Sequence, residues 1–298
     1  MTSINQICIT FKKELNLTSI ENNKISTGFA DLDNLLCEGL EKKPNLICLA
    51  AQVGMGKTLL LLDIALNVAM SSGKDVYIFS LQFSKEQIVD MLLTKLSGIY
   101  ARHIFKNNGE LTDDMKYKIV SALSALSELK IFICDDHDMK FNDIKSKIKN
   151  IDNTALIIID FIRLMTITDG SKILSQEQRA IADEKLVNDL STLSKEINTP
   201  IIAEVHLQRF TAERKDRRPL LSDLSLQAFQ SVPDTVIMLY RDYQDGVRHS
   251  WTRGFGNDVL SNETELLVHK NRYGSLGKIK LDFNNKYFRF ESKNSPES

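Results

Sequence analysis

The sequence has little of several features that mark particular classes of protein. Its four cysteines form no Cys-x-x-Cys pair, which argues against a zinc site, and the apolar surroundings of Cys48 and Cys134 favour buried free thiols over disulfides. The formal net charge is only −1, so any binding of nucleic acid would need a local basic patch. No long apolar run and no signal-peptide pattern are present. These features predict a cytoplasmic protein with no membrane partner.

What is present is the patterning of a globular α/β protein. Hydrophobic residues make up 43% of the chain and charged residues 26%, which is ordinary for a domain with a large core. Apolar strand-like runs alternate with helical segments, which predicts a mainly parallel twisted sheet with helices on both faces and antiparallel strands at the C-terminal end. We expect this domain over residues 26–291, after a linker or docking segment at 1–25 and before a disordered tail at 292–298. The predicted strands are 46–50, 76–81, 130–134, 155–160, 200–205, 235–241, 263–269, 277–283 and 287–291, and the predicted helices are about 57–71, 84–98, 112–127, 141–149 and 175–197.

The stretch that ends at Thr58 predicts a phosphate-binding loop between a strand and a helix. Backbone N–H groups around Gly54, Met55 and Gly56 can cradle phosphate oxygens at a helix N-terminus, where the helix dipole favours negative charge. Lys57 would reach the β- and γ-phosphates, and the Thr58 hydroxyl would hold Mg²⁺. The strict pattern Gly-x-x-x-x-Gly-Lys-Ser/Thr has Ala at its first position here, and an ordinary strand–turn–helix corner is the alternative. The stretch nevertheless favours a nucleoside triphosphate site.

Polar residues at the carboxyl ends of other predicted strands are further candidates, because ligands of open α/β sheets bind at that edge. Gln82 follows one strand, and Asp160 follows an apolar run in the position of a Mg²⁺-binding carboxylate, unless it only caps the next turn. Glu204 and His206 lie two residues apart in another strand, so their side chains project to one face. A carboxylate in a buried strand is costly unless it is paired. A functional pair, a structural pair and an exposed edge position all remain open for Glu204.

Seven motifs run along the chain in an order that resembles one known family. They are Ser26-Thr-Gly-Phe-x-x-Leu-Asp33, Ala50-x-x-x-Gly-Met-Gly-Lys-Thr58, Phe79-Ser-Leu-Gln-Phe-Ser84, Ile159-Asp-Phe-Ile-Arg-Leu-Met165, Arg218-Pro-Leu-Leu-Ser-Asp-Leu224, Tyr240-Arg-Asp242 and His269-Lys-Asn-Arg-Tyr-Gly274. Together they are similar to the C-terminal motor domain of DnaB-type replicative helicases, which has a RecA-like fold. The early motifs also suit RadA- and KaiC-like ATPases, whereas the later ones are more particular to the DnaB type. We expect no counterpart of the helical N-terminal domain of those helicases.

The resemblance implies a ring with ATP at the subunit interfaces and single-stranded DNA in the central channel. The ring would be a homo-hexamer or a mixed ring with a related helicase. Carried over by position, Lys57, Thr58 and Asp160 would bind MgATP, and Lys270 and Arg272 would form a basic finger for the neighbouring subunit's γ-phosphate. A planar guanidinium suits charge on a transferring phosphoryl group, and residues two apart on a strand share a face. A solvated basic strand end is the alternative.

Three departures from the family pattern bear on activity. At the position where the family usually has a catalytic Glu, this chain has Gln82. Its amide can orient water but accepts no proton, so we expect hydrolysis to fall while nucleotide binding survives. Where the family usually has a Gln that senses the γ-phosphate, this chain has His206. We hypothesise that Glu204 and His206 form a substitute base or sensor. A channel loop that commonly carries Arg and Gly is altered, which would weaken contact with DNA. The altered positions are Ser225, Leu226 and Ala228.

A basic stretch offers a second route to nucleic acid. It could contact a phosphate backbone without reading sequence, or it could be a solvated loop. Phe210 is its one aromatic residue, which gives little support for base stacking. The basic residues are Arg209, Arg214, Lys215, Arg217 and Arg218.

Two functions from different classes follow. The first is an ATP-driven DNA helicase of DnaB type that acts on single-stranded DNA in replication. The second is a hydrolysis-impaired relative that binds ATP as an assembly or regulatory subunit without unwinding. The nucleotide-site residues favour the first, and Gln82 with the altered channel loop favours the second.

Overall fold

The computed structural model describes residues 24–37, 39–41, 45–105, 111–148, 151–162, 165, 168–169, 172–173, 175–207, 214–224, 226–243 and 260–293. Most of the predicted docking segment, the predicted tail and Arg209 lie outside these residues. The described part contains thirteen strands and eight α-helices. The strands are β1 (Lys24–Ile25), β2 (Leu40–Glu41), β3 (Asn45–Ala51), β4 (Asp75–Ser80), β5 (Ile131–Cys134), β6 (Thr154–Asp160), β7 (Thr168–Asp169), β8 (Lys172–Ile173), β9 (Pro200–His206), β10 (Thr235–Tyr243), β11 (Leu260–Asn271), β12 (Gly277–Asn284) and β13 (Arg289–Ser292). The helices are α1 (Ala30–Leu35), α2 (Lys57–Ser72), α3 (Lys85–Ser97), α4 (Ala101–Phe105), α5 (Asp113–Glu128), α6 (Phe141–Lys147), α7 (Gln176–Ile197) and α8 (Gln227–Ser231).

A single nine-stranded sheet organises the chain, in the order β13-β12-β11-β10-β3-β9-β6-β4-β5. The six strands from β10 to β5 in this order are parallel, whereas β10, β11, β12 and β13 pair antiparallel. The predicted α/β class, with its parallel sheet and antiparallel C-terminal strands, is therefore confirmed.

Both faces of the sheet are covered by helices, which is why the central strands are continuous apolar runs. In β3, Ile47 and Leu49 pack with α2 and α3 on one face, while Leu46 and Cys48 pack with α7 on the other. Every residue of β3, β4 and β6 is buried. Burial on both faces makes the central sheet a rigid platform for the residues at its carboxyl edge.

The helix ends follow local chemistry that the sequence carries. Ser84 caps α3 in the predicted capping box, with its hydroxyl accepting from Gln87 N at 3.3 Å and Gln87 Oε1 accepting from Ser84 N at 3.0 Å. At the C-terminal end of α2, Gly73 has φ +61° and its N–H donates to Ala69 O at 3.1 Å, which ends the helix.

The short elements are the part of the fold that the sequence patterns missed. The two-residue strands β1, β2, β7 and β8 and the five-residue helices α4 and α8 are too short to produce a readable periodicity. None of the helices in the described part of the chain combines the length and the apolar character needed to cross a bilayer.

Candidate active site

The loop between β3 and α2 has the conformation of an anion-binding turn. Gly54 and Gly56 have φ of +83° and +96°, values that only glycine adopts without strain, and Gly56 caps α2. A Cβ on Gly56 would stand 3.1 Å from Phe290 Cζ, so the loop is also closely packed from behind. Met55 is buried, and its N–H donates to Gln52 O at 3.5 Å within the loop. The N-terminus of α2 thus presents unpaired N–H groups and its positive dipole end to a phosphate.

Lys57 opens α2 with its ammonium folded back into the protein. Nζ lies 3.2 Å from Ala51 O, 3.0 Å from Gln52 O and 3.0 Å from Glu204 Oε1, and the side chain is 5% exposed. Burial lowers the pKa of Lys57, and the carboxylate of Asp160 opposes this shift. Glu204 Oε1 is the carboxylate oxygen in contact with Nζ, and a carboxylate at 3.0 Å favours the charged ammonium. Nζ donates to the two carbonyls and forms an ion pair with Glu204, so it would have to move away from Glu204 to reach a phosphate in front of the loop.

Asp160 ends β6 beside the loop and is 2% exposed. Neither carboxylate oxygen has a hydrogen bond of good geometry from the described residues. Burial raises the pKa of Asp160, and the nearby Thr58 hydroxyl, Lys57 and His206 oppose that shift. A buried carboxylate with free lone pairs next to a hydroxyl is the donor set that Mg²⁺ uses together with phosphate oxygens and water. The residues present therefore fit the predicted metal site.

Glu204 and His206 share a face of β9, as the strand alternation predicts. The sheet places Glu204 opposite Leu49 and His206 opposite Ala51, so both reach the start of the glycine loop. Glu204 is 1% exposed, and its Oε1 lies 3.2 Å from His206 Nε2 and 3.0 Å from Lys57 Nζ. The His206 ring stacks on Phe161, with ring centroids 3.9 Å apart. The exposed-edge alternative for Glu204 is therefore wrong, because the side chain is enclosed.

Gln82 lies at the same edge of the sheet, two residues after the end of β4. Its loop is closed by Ser80, whose hydroxyl donates to Phe83 O at 2.8 Å and accepts from Phe83 N at 3.1 Å. Leu81 N donates to Asp160 O at 2.7 Å, which ties this loop to the end of β6, and the Gln82 side chain is exposed. The structure thus brings Gln82 to the edge that holds Lys57 and Asp160.

Lys270 and Arg272 lie at the opposite edge of the sheet, where the parallel strands β10 and β3 begin. Lys270 Nζ donates to Gln230 O at 3.0 Å and Ser231 O at 2.6 Å, and Arg272 Nη1 lies 2.7 Å from Asp234 Oδ1. Both side chains therefore face the connection between α8 and β10. Burial and the neighbouring Arg272 lower the pKa of Lys270.

The pairing of β11, β10 and β3 shows how far Lys270 and Arg272 lie from the glycine loop of their own chain. Asn271 pairs with Thr235, which pairs with Ile47 near the start of β3. Four further residues of β3 lead to Ala51, which corresponds to about 13 Å along the strand direction, and two strand spacings add about 10 Å across it. Lys270 and Arg272 are thus separated from their own loop by more than a side chain can reach.

The arginines of the predicted basic stretch are largely engaged within the protein. Arg214 Nη2 lies 2.8 Å from Asp223 Oδ2 and 3.0 Å from Arg218 O, and Arg218 binds Glu265 through Nε at 2.5 Å and Nη2 at 3.0 Å. Lys215 and Arg217 are exposed. The structure therefore separates a structural pair of arginines from two basic residues that face solvent.

The sequence patterns do not predict the contact between Lys57 and Glu204 or the stacking of Phe161 on His206. Both depend on β9 lying between β3 and β6, an order that crosses the sequence. The signal available in the sequence was a lone Glu in an apolar strand, which predicts a partner but does not identify it.

The sheet order, the glycine loop after β3 and the carboxylate at the end of β6 define a P-loop NTPase of RecA-like fold. The RadB recombinase, with a TM-score of 0.53 and 19% identity over 91% of this chain and 100% of that one, is similar to it in fold alone. The chain belongs to the DnaB-like helicase C-terminal domain family, whose model matches residues 24–292.

Two relatives support this assignment. A DnaB-like replicative helicase, whose structure was described together with its interactions with primase, has a TM-score of 0.80 and 25% identity, covering 97% of this chain and 68% of that one. A probable replicative DNA helicase of Trieres chinensis is 33% identical over 271 residues, which cover 89% of this chain and 56% of the relative. The chain thus spans about half the length of the curated relatives that it matches. The predicted resemblance to the DnaB-type motor domain is confirmed.

Proposed function

We propose that the chain is an ATP-driven motor domain of DnaB type that acts on single-stranded DNA as part of a ring. The observation that carries the proposal is the position of Lys270 and Arg272 at the edge of the sheet away from their own glycine loop. Such a pair completes a nucleotide site only across a subunit interface. The proposed ring is a homo-hexamer or a mixed ring with a related helicase.

Lys57, Thr58 and Asp160 would hold MgATP. When bound, Mg²⁺ neutralises charge on the β- and γ-phosphates. Lys57 exchanges Glu204 for a phosphate, which its position at the start of α2 allows. Lys270 and Arg272 exchange their contacts with residues 230–234 for the γ-phosphate of the neighbouring subunit, where a guanidinium stabilises charge in the transition state.

Glu204 is proposed as the proton acceptor that replaces the family's Glu at position 82. It is a buried carboxylate within reach of the loop lysine, and release of Lys57 leaves it without its cation. His206 then holds Glu204 at 3.2 Å and lies under the ring of Phe161, which fixes the imidazole. Gln82, with its exposed amide, orients water at the same edge.

The hydrolysis-impaired subunit remains the second proposal, favoured by Gln82 and by the inward fold of Lys57. DNA contact through Lys215 and Arg217 would be weak and would not depend on sequence. Of the altered channel loop, Leu226 precedes α8 and Ala228 lies within it.

The test is ATP turnover with and without single-stranded DNA, measured beside nucleotide binding on the same preparation. Turnover that DNA stimulates and that Arg272→Ala abolishes supports the motor. Tight binding without turnover, with turnover gained in Gln82→Glu, supports the assembly subunit instead. Failure to bind ATP at all would exclude both.

A further inference from the structure

The turn that carries the basic pair is fastened to the end of helix α1 by one amide. Asn271 lies between Lys270 and Arg272, and its Nδ2 donates to Leu35 O at 2.8 Å and to Ser275 O at 3.2 Å. Its Oδ1 accepts a hydrogen bond from Tyr273 N at 3.3 Å. Because Nδ2 faces two carbonyls and Oδ1 faces an N–H, the partners fix the orientation of the amide.

The backbone of the turn makes further contacts with the same helix end. Ser275 N donates to Leu35 O at 3.0 Å, and Cys37 Sγ lies 2.8 Å from Tyr273 O. Leu35 O belongs to the last turn of α1, where carbonyls have no partner within the helix. The turn 271–276 therefore satisfies a helix end while it is held by it.

The fit leaves no space for a larger residue at the contact. A Cβ on Gly274 would stand 2.2 Å from Leu35 O, and one on Gly277 would stand 2.9 Å from Leu35 Cδ2. Both are closer than real Cβ atoms come to such neighbours. The turn and α1 are thus in direct backbone contact.

Helix α1 is itself anchored by the motif that begins at Ser26. Asp33 Oδ1 accepts from Thr27 N at 2.9 Å and from Thr27 Oγ1 at 2.6 Å, and Asp33 Oδ2 accepts from Ser26 Oγ at 2.6 Å. Leu32 and Phe29 are buried in the core beside α2. The helix end is therefore a fixed support and not a loose neighbour.

We propose that Asn271 is a positioning residue for ATP hydrolysis, which holds the turn 271–276 on α1 so that Lys270 and Arg272 reach the nucleotide of the next subunit. This inference rests on the proposed function, in which the pair acts across an interface. When Lys270 and Arg272 leave residues 230–234 for a phosphate, they lose their own side-chain anchors. Asn271 keeps its anchor, because its amide faces α1 and takes no part in the exchange.

The decisive variant is Asn271→Asp, which keeps the shape of the side chain and removes its donor. A carboxylate oxygen would then face Leu35 O and Ser275 O, so the turn would lift from α1. A displacement of about 1 Å costs roughly 100-fold in rate, so we expect kcat to fall by about 100-fold with KM for ATP unchanged. Asn271→Ala, which adds no charge, should give a smaller loss of the same kind. Leu276→Ser is the matched control, since Leu276 is 63% exposed on the same turn and should retain wild-type turnover.

Mixing subunits separates positioning from a general structural defect. Asn271→Asp subunits have an intact nucleotide pocket, and Lys57→Ala subunits have an intact basic pair. In a mixture, an interface is intact where the Asn271→Asp subunit supplies the pocket and the Lys57→Ala subunit supplies the basic pair, so turnover should rise above that of either variant alone. A defect that damages the pocket of the Asn271→Asp subunit itself would not be restored.

A second readout covers the case of a slow enzyme. Retention of a fluorescent ATP analogue is measured as protein concentration rises, and Arg272→Ala is run in parallel as the reference. If Arg272→Ala changes neither turnover nor retention, the proposed function fails and the inference fails with it. If Arg272→Ala is impaired while Asn271→Asp behaves as wild type, or if mixing restores nothing, the inference alone is overturned.

Discussion

Glu204→Gln is expected to tighten the binding of MgATP. In the structure the carboxylate holds Lys57 Nζ at 3.0 Å, inside the protein and away from the space in front of the loop. A nucleotide must break this contact and must then tolerate a buried carboxylate near its phosphates. Glutamine keeps the size and one oxygen of Glu204 but removes both electrostatic costs.

The expected size follows from the geometry of the pair. At 3.0 Å and an effective dielectric constant of about 20, two unit charges attract by about 5 kcal/mol. Desolvation of two buried ions offsets much of this attraction. A net effect of about 1–3 kcal/mol corresponds to a Kd for MgATP that is lower by about 5- to 150-fold.

The assay is an equilibrium titration with a fluorescent ATP analogue in the presence of Mg²⁺. Glu265→Gln is the control, because Glu265 is also a mostly buried carboxylate with basic partners but pairs with Arg218 and Lys278, away from the loop. A Kd that stays the same or rises in Glu204→Gln would refute the idea that this residue restrains Lys57.

Turnover in the same variant tests the second role proposed for Glu204. Removal of a general base typically costs about 10²–10⁴-fold in rate, so tight binding should be accompanied by slow hydrolysis. Unchanged turnover would show that the proton of the attacking water goes elsewhere.

Three further predictions concern turnover and stability. Gln82→Glu should leave ATP turnover in a steady-state assay close to that of the wild type, because Glu204 is the proposed proton acceptor, and a large gain would favour the hydrolysis-impaired subunit instead. Lys95→Met should lower the free energy of unfolding by about 3–5 kcal/mol in urea titrations, since Lys95 Nζ binds Asp63 Oδ1 at 2.7 Å and its loss leaves a buried carboxylate without its cation. Arg218 lowers the pKa of Glu265 below its ordinary value of 4.5, so the stability from this pair is present above about pH 4.5 and is lost as the pH falls through the lower pKa of the folded protein. Arg218→Met should flatten that pH dependence, and an unaltered profile would contradict the assignment.

Local patterns in the sequence predict most of the sheet and the main helices. The strands β3, β4 and β6 are buried on both faces, so each appears as an unbroken apolar run, and Ser84 with Gln87 marks the start of α3. These features depend on neighbours in the chain, which is why they could be predicted without tertiary information.

The chemistry of the site is harder to predict because it joins distant strands. Lys57 and Glu204 are far apart in sequence and meet only because β9 inserts beside β3. The support of the turn by α1 is of the same kind, since Leu35 O and Asn271 Nδ2 are 236 residues apart. Contacts of this range follow from the order of strands, which periodicity does not encode.

The two edges of the sheet have a consequence for symmetry. The surface with the glycine loop and the surface with Lys270 and Arg272 are different parts of one chain, so under the proposed function a contact that joins them head to tail around a ring is heterologous. Each added copy leaves one recipient edge and one donor edge free until rotation brings the last copy back to the first, whereas a rotation that misses closure gives an open helix. Under the proposed function, a lone copy would hold two half-sites and no complete one, and every site would be complete in a closed ring.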